Sequence, residues 1–301
     1  MTPAAILAHP PLVLEQHARE RYFEQGYAWL DGYLPADRLA RLRATTAAQL
    51  ELARHETQSG EAFDLGPGHC ADRPNVRRLR AVVDRDPCYW EIARDPVLTD
   101  LVADLVGPDV RFHSGKLNCK TGGAGDAVKW HQDIQAWPHT CYSVLTLGVY
   151  LHDVAADQGP LAVVPGSHLG PLFDQFPGGT WTGHLSDADV ARVDTARAVE
   201  LTGRAGSVMA IDCRVVHGSR PNHSPLPRPL LLYVYSSADA CAYTAAPTPT
   251  SHTGEIVRGM APAHAHLDPR PCPLPPDWAR QGYRSIYAAQ SGEPVKAAAY
   301  D

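Results

Sequence analysis

Apolar residues recur at three- and four-residue intervals through the N-terminal third of the chain, then give way to continuous or alternating apolar runs divided by Gly, Pro and Asp. This change of period predicts helices first and strands afterwards. Leu14 to Gln25 reads as a helix, and Tyr27 to Leu30 as a short apolar strand. Pro35-Ala36-Asp37 opens a helix running to about His55, since Pro suits a first turn, where its missing N–H is not needed. Its buried stripe is Leu39, Leu42, Leu50 and Ala53. Pro96 to Val106 sets Leu98, Leu101, Val102 and Leu105 at helical spacing and stops at Gly107-Pro108. Between these helices, Gln58 to Arg73 is polar and Gly-rich and is expected to be a mobile entrance loop.

From Val110 the texture becomes strand-like. Val110 to Lys120 reads as the first core strand, with Phe112, Ser114, Lys116 and Asn118 on one face by the period of two. Ser143 to Leu151, Leu161 to Val164, Ala196 to Leu201, Ser207 to Val216 and Pro229 to Val234 are further apolar runs. Runs apolar on both faces belong inside a double-layered sheet. Phe173 to Val193 reads as an excursion, and the Pro-, Thr- and His-rich stretch after Ala240 as an irregular flap over a mouth, with a poorly ordered tail after Gln290. The expected fold is mainly β with flanking helices: a double-stranded β-helix (jelly-roll, cupin-like) core braced by N-terminal α-helices. A single domain is expected over 1–301, with helical support at 12–108, the core at 109–238 and the flap and tail at 239–301.

Composition narrows the class. With 44% hydrophobic and 20% charged residues the chain can bury a full core. A formal charge of -6 gives no electrostatic footprint for nucleic acid. No apolar run is long enough to span a membrane, and Met1 to Pro11 lacks the basic and apolar regions of a signal peptide. Seven cysteines, an odd number with no CxxC pair, read as small buried hydrophobes rather than a disulfide framework. A cytoplasmic protein is expected.

The chemistry is carried by Trp130-His131-Gln132-Asp133 and by His217 and Arg228. Read as strand, the first segment points His131 and Asp133 to one face, about 6.5 Å apart at the backbone. Two imidazoles and one carboxylate on one face of an octahedron hold non-haem Fe(II) and leave open positions. The same spacing recurs at His266-Leu267-Asp268, but prolines surround it, which argues against a central strand. His217 ends the run Ser207 to Val216, and the polar loop Ser219 to Pro227 with the following apolar run suggests a hairpin-like return that brings Arg228 beside it. A guanidinium next to a buried metal needs an anion, and its planar fork suits a carboxylate.

On these residues, together with Gln158-Gly159-Pro160-Leu161-Ala162-Val163-Val164-Pro165-Gly166-Ser167-His168, the chain resembles the phytanoyl-CoA hydroxylase family of Fe(II)- and 2-oxoglutarate-dependent oxygenases over about Val110 to Ala240. The resemblance implies that His131, Asp133 and His217 bind iron, that Arg228 grips the far carboxylate of 2-oxoglutarate and that Ser219 assists it. It further implies that O2 is consumed, that succinate and CO2 are released and that an unactivated C–H of a small metabolite or natural-product intermediate is hydroxylated. Halogenases of this kind carry Gly or Ala at the position of Asp133, so a carboxylate there implies hydroxylation, desaturation or ring closure. Lys116 or Asn118 reaches the cosubstrate if its face is inward, and Arg78 or Arg80 is a further candidate. Trp137 and His139 are candidate substrate contacts, although core packing accounts for them equally. His168 reads as structural. Competing readings are a cupin-type metal dioxygenase that does not use 2-oxoglutarate, an inactive binding protein of the same fold, and a hydrolase built on Ser167 or Ser219.

Overall fold

The computed structural model describes residues 1–123 and 125–291. Twelve strands occur among them: β1 (Tyr27–Leu30), β2 (Phe63–Leu65), β3 (Val76–Arg80), β4 (Val110–Lys120), β5 (Val128–His131), β6 (Val144–Tyr150), β7 (Ala162–Val163), β8 (Val199–Glu200), β9 (Val208–Asp212), β10 (His217–Ser219), β11 (Arg228–Ser237) and β12 (Ile256–Arg258). They form two antiparallel sheets. The larger runs β1-β9-β6-β11-β4-β3-β2, with β12 also pairing with β4, and the smaller runs β5-β10-β7-β8. The two layers face one another without closing into a barrel.

The central strands of the larger sheet are buried on both faces, which is why their sequences are apolar without alternation. Leu145, Leu147, Val149, Leu231, Tyr233 and Tyr235 face a core shared with the N-terminal helices, while Tyr150, Met209, Ile211, Leu230 and Leu232 face inward toward the smaller sheet. The helix Pro96–Val106 has the boundaries its sequence predicts, its first turn capped by the Asp95 carboxylate accepting from Val97 N. Leu98, Leu101, Val102 and Leu105 are almost wholly buried. Each contributes about 1.5–3 kcal/mol, so docking on the sheet rather than helix propensity holds this short element. Helix Ala36–Leu52 buries Leu42 and Thr46 fully, with Leu39 and Leu50 only partly covered.

Several sequence expectations need correction. Gln58 to Arg73 is not a free loop: it contains β2, whose Phe63 is buried and which pairs with β3 as the sheet edge. Phe112 does not share a face with Lys116 and Asn118. Val234 pairs with Ser114 but Tyr235 with Phe112, so His113 is the extra residue of a β-bulge that turns Phe112 into the helix-side core. Ser207 to Val216 is not one strand. After Asp212 the chain turns, Arg214 N donating to the Asp212 carboxylate (2.8 Å), and crosses to the smaller sheet before His217. Consequently His217 and Arg228 do not form a hairpin: β10 pairs with β5 and β7, β11 with β4 and β6. Phe173 to Val193 is no loose excursion either, since Phe173, Phe176, Trp181 and Leu185 are buried. The flap after Ala240 adds β12 and a helix, Ile286–Ser291, to the body. The expected tail after Gln290 lies outside the described residues from 292 on. No helix among the described residues is long and apolar enough to cross a membrane.

Candidate metal centre and cosubstrate cavity

Antiparallel pairing of β5 with β10 sets His131 directly opposite His217, their ring centroids 4.0 Å apart. The strand ends at His131. Gln132 remains extended and Asp133 opens a short 3-10 turn, Asp133–Ala136, so the carboxylate still returns to the side of the imidazoles. One ligand atom from each of His131, Asp133 and His217 lies within 4.8 Å of the others.

Backbone carbonyls fix both rings. His131 Nδ1 donates to Lys129 O (2.9 Å) and His217 Nδ1 to Val215 O (3.0 Å). A carbonyl only accepts, so each Nδ1 carries a proton and each Nε2 is left turned toward Asp133. Those Nε2 atoms stand 3.6 and 3.8 Å from Asp133 Oδ1, too far for good hydrogen bonds and suited to a shared cation. The other carboxylate oxygen, Oδ2, accepts from Thr146 Oγ1 on β6 (2.7 Å), which aims Oδ1 at the rings. Burial, then the neighbouring His131, push the His217 ring down to about 4 against a partial offset from Asp133, so it is neutral near pH 7, as a ligand must be. Burial raises the Asp133 carboxyl, but His217, His131 and Lys116 outweigh it and hold the group well below the usual carboxylate range. The donor set therefore fits a divalent iron.

Gln132, between the two ligands, is fully buried and ties three segments together. Its Nε2 donates to Pro171 O and Arg214 O, its Oε1 accepts from Phe173 N, and its backbone carbonyl accepts from Gln175 Nε2. Sequence reading passed over it because a polar residue in an HxD triplet gives no sign of where its amide points.

A cavity opens from the triad, with about 730 Å³ of atom-free space, the open solvent at its mouth included. Arg228, Ser219, Lys116, Asn118, Thr146, Arg78 and Trp137 all line it. Thus Lys116 and Asn118 face inward. Of the two arginines left open by the sequence, Arg78 lines this cavity, while Arg80 pairs with Asp64 beside it. Arg228 is buried, donates through Nη2 to Gly159 O (2.9 Å) and leaves its Nε without a partner. Trp181, Tyr283, Ile286 and Tyr287 complete the wall and were missed, because they come from the excursion and the flap. Thr146 was missed too, though a lone hydroxyl inside the run Val144-Leu145-Thr146-Leu147 was its signal.

Gly159 has φ +62, and a Cβ there would collide with Arg220 O. Because its carbonyl positions Arg228, Gly159→Ala is expected to destabilise the fold by more than ~1 kcal/mol and to weaken 2-oxoglutarate binding. Thermal unfolding and the KM for 2-oxoglutarate check both effects.

His139 does not reach the cavity wall. It lies behind Trp137, its Nδ1 donating to Trp137 O (2.6 Å), and touches His113 at 5.2 Å between centroids. Burial lowers His139 to about 4 and takes His113 well below its usual value. The unfolded chain therefore binds protons that the folded chain does not. Stability should fall as pH drops from about 6.5 toward 4, by on the order of 2 kcal/mol from His139 alone between pH 7.5 and pH 5. Urea unfolding at the two pH values measures this, and His139→Leu should lessen the slope.

Elsewhere, His168 Nε2 donates to Phe23 O (3.0 Å), as a structural residue would. Ser167 Oγ donates to Val164 O and accepts from Val216 N, so it is no free nucleophile. His266 and Asp268 lie outside any strand, Asp268 holding Arg270 at 2.7 Å.

Known proteins resemble this chain in sequence and in fold. A family model for phytanoyl-CoA dioxygenase (PhyH) matches residues 22–230. A probable alpha-ketoglutarate-dependent hypophosphite dioxygenase of Stutzerimonas stutzeri is 30% identical over 74% of this chain and 78% of its own. An ectoine dioxygenase of Sphingopyxis alaskensis is 27% identical over 70% and 72%. The crystal structure of EctD from S. alaskensis with 2-oxoglutarate and 5-hydroxyectoine superposes with a TM-score of 0.67 at 23% identity, covering 89% of this chain and 92% of that one, a likeness of double-stranded β-helix folds. The chain belongs to the phytanoyl-CoA dioxygenase (PhyH) family of dioxygenases.

Proposed function

We propose that this enzyme is an Fe(II)- and 2-oxoglutarate-dependent dioxygenase that hydroxylates an unactivated C–H of a small metabolite or natural-product intermediate. The supporting observation is one cavity in which two imidazole Nε2 atoms and a carboxylate converge while a buried guanidinium, Arg228, keeps an unpartnered N–H. His131, Asp133 and His217 hold the iron, and Arg228 takes the far carboxylate of 2-oxoglutarate. Ser219, Lys116 and Asn118 are the further polar contacts available in the wall. Bound iron with O2 and 2-oxoglutarate supplies the oxidising chemistry: one oxygen atom goes to the substrate C–H, the other to succinate, and CO2 leaves.

The chain's own residues orient and shield. Lys129 O and Val215 O keep the imidazoles turned, Thr146 keeps the carboxylate turned, and Trp137, Trp181, Tyr283, Ile286 and Tyr287 exclude water from the mouth. Arg228 argues against a dioxygenase that does without 2-oxoglutarate, and the intact triad against an inactive binding protein. All seven cysteines are free, which suits a reducing cytoplasm. The relatives are named for ectoine, hypophosphite and L-proline, all small molecules. Succinate release, screened across a panel of small metabolites with Fe(II), ascorbate and 2-oxoglutarate, tests the proposal. Succinate formed in step with a hydroxylated product supports it, and no 2-oxoglutarate turnover with any compound, even uncoupled, refutes it.

A further inference from the structure

A second, smaller chamber adjoins the iron cavity and shares Arg78, Lys116, Trp137 and Tyr283 with it. It adds Arg80, Ser114 and the segment Pro247-Thr248 from the flap. The proposed chemistry uses Lys116, Trp137 and Tyr283 but leaves Arg78, Arg80, Ser114 and Pro247-Thr248 without a role. The chamber's cations are unusually short of partners. Arg78 is 3% exposed, donates through Nε to Asn118 Oδ1 (2.9 Å), and lies with Cζ 5.4 Å from the centre of the Tyr287 ring. Its Nη2 is buried without a hydrogen-bond partner, and so is Arg80 Nε. Among the described residues, Lys116 Nζ has neither a hydrogen bond nor an ion pair. Two acids stand nearby: Asp64, opposite Arg78 in the β2–β3 register, whose Oδ1 goes to Arg80, and Asp133, whose charge acts on Lys116 but belongs to the metal triad.

Buried Arg78 repels the neighbouring Lys116 charge, an effect that Asp133 offsets only in part. Burial and Arg78 accordingly push Lys116 down to about 8. A buried guanidinium N–H left unmade is costly, so the arrangement calls for an anion that the protein itself does not provide.

That anion is not the far carboxylate of 2-oxoglutarate. Arg228 is level with Lys120 on β4, whereas Lys116 is level with Leu232, four residues along β11 and about 13 Å away at the backbone. Arg78 stands on β3, two strand spacings or roughly 10 Å from β11. Arg228 on one side and Arg78 with Lys116 on the other therefore present separate positive charges in the cavity wall.

We propose that Arg78 and Arg80, flanked by Lys116, form an oxyanion subsite for the substrate, so that the molecule hydroxylated is a small carboxylate or phosphonate. This rests on the iron and 2-oxoglutarate reading above. The planar forks of the arginines bind such a group through paired N–H donors, and the chamber's position holds the attached C–H toward the triad.

The test uses the full chain loaded with Zn(II) and N-oxalylglycine, an unreactive analogue of 2-oxoglutarate that occupies the metal and Arg228. Acetate, methylphosphonate and, as the neutral control, acetamide are titrated at constant ionic strength while the thermal midpoint is followed. Wild type should show a saturable rise with at least one anion and none with acetamide, and the stronger anion identifies the class. Arg78→Gln should weaken that anion by about tenfold or more and leave N-oxalylglycine affinity within about twofold. Arg78→Lys, which keeps the charge should the Gln variant fold poorly, should retain part of the response. Two results overturn the proposal: no anion-specific rise in wild type, or a loss of N-oxalylglycine affinity in the Arg78 variants with anion binding unchanged, which would give Arg78 to the cosubstrate. Failure of wild type to bind Zn(II) and N-oxalylglycine at all would instead strike at the iron and 2-oxoglutarate reading, and is measured first.

Discussion

His131→Ala and Asp133→Ala each abolish iron retention and, with it, all succinate formation. Each removes one of the three side chains that, among the described residues, converge to hold a metal ion. Losing an outer-shell partner of a metal ligand typically costs 10- to 100-fold in affinity, and losing a ligand itself costs more. Thr146→Val provides the graded comparison, because it removes only the hydroxyl that orients Asp133 Oδ2. It should bind iron about 10- to 100-fold more weakly than wild type yet recover turnover when iron is raised. Iron per chain after anaerobic equilibration with Fe(II), read beside succinate yield, checks both. Full iron retention in His131→Ala would show that the ion sits elsewhere.

Arg228→Ala raises the KM for 2-oxoglutarate by more than tenfold while leaving iron content unchanged. The guanidinium is 3% exposed, and Gly159 O satisfies only part of its donor set. Removing one partner of a desolvated charge pair costs about 2–5 kcal/mol, and each ~1.4 kcal/mol is a factor of ten. Arg228→Lys should fall between, since a point charge cannot reproduce a planar fork. Lys120, its neighbour across β4 and β11, is a poor substitute, because it is buried and its Nζ already donates to Arg220 O. An unchanged KM in Arg228→Ala would remove the cosubstrate assignment while leaving the metal site intact.

The residues that make this site were legible where the sequence itself carries the constraint. Pro96 and Gly107 bracket their helix through backbone chemistry, and β1 and β4 have the boundaries their apolar patterns predict. The triad and Arg228 stood out because charged and imidazole side chains in apolar runs need a reason to be there. What failed were features set by partners far along the chain. The corner after Asp212 is invisible because Cys213, Val215 and Val216 are as apolar as β9, and the turn is marked only in space, by Arg214 N donating to the Asp212 carboxylate and Val215 N to its carbonyl. The bulge at His113 exists only relative to β11. β2 reads as loop because its three residues, Phe63-Asp64-Leu65, are too few to show a period within a polar, Gly-rich stretch. Tyr283 and Tyr287 occupy a Pro-rich stretch of little periodicity, and their place at the mouth is decided by docking against β5 and Gly183, where Gln290 accepts from Lys129 N and donates to Gly183 O.

An anaerobic crystal structure with Fe(II) and 2-oxoglutarate tests the central claim most directly. The account predicts one ion contacted by His131 Nε2, His217 Nε2 and Asp133 Oδ1, with the far carboxylate of 2-oxoglutarate on the Arg228 guanidinium. An ion bound away from those three atoms, or a cosubstrate whose far carboxylate lies elsewhere than Arg228, would contradict it.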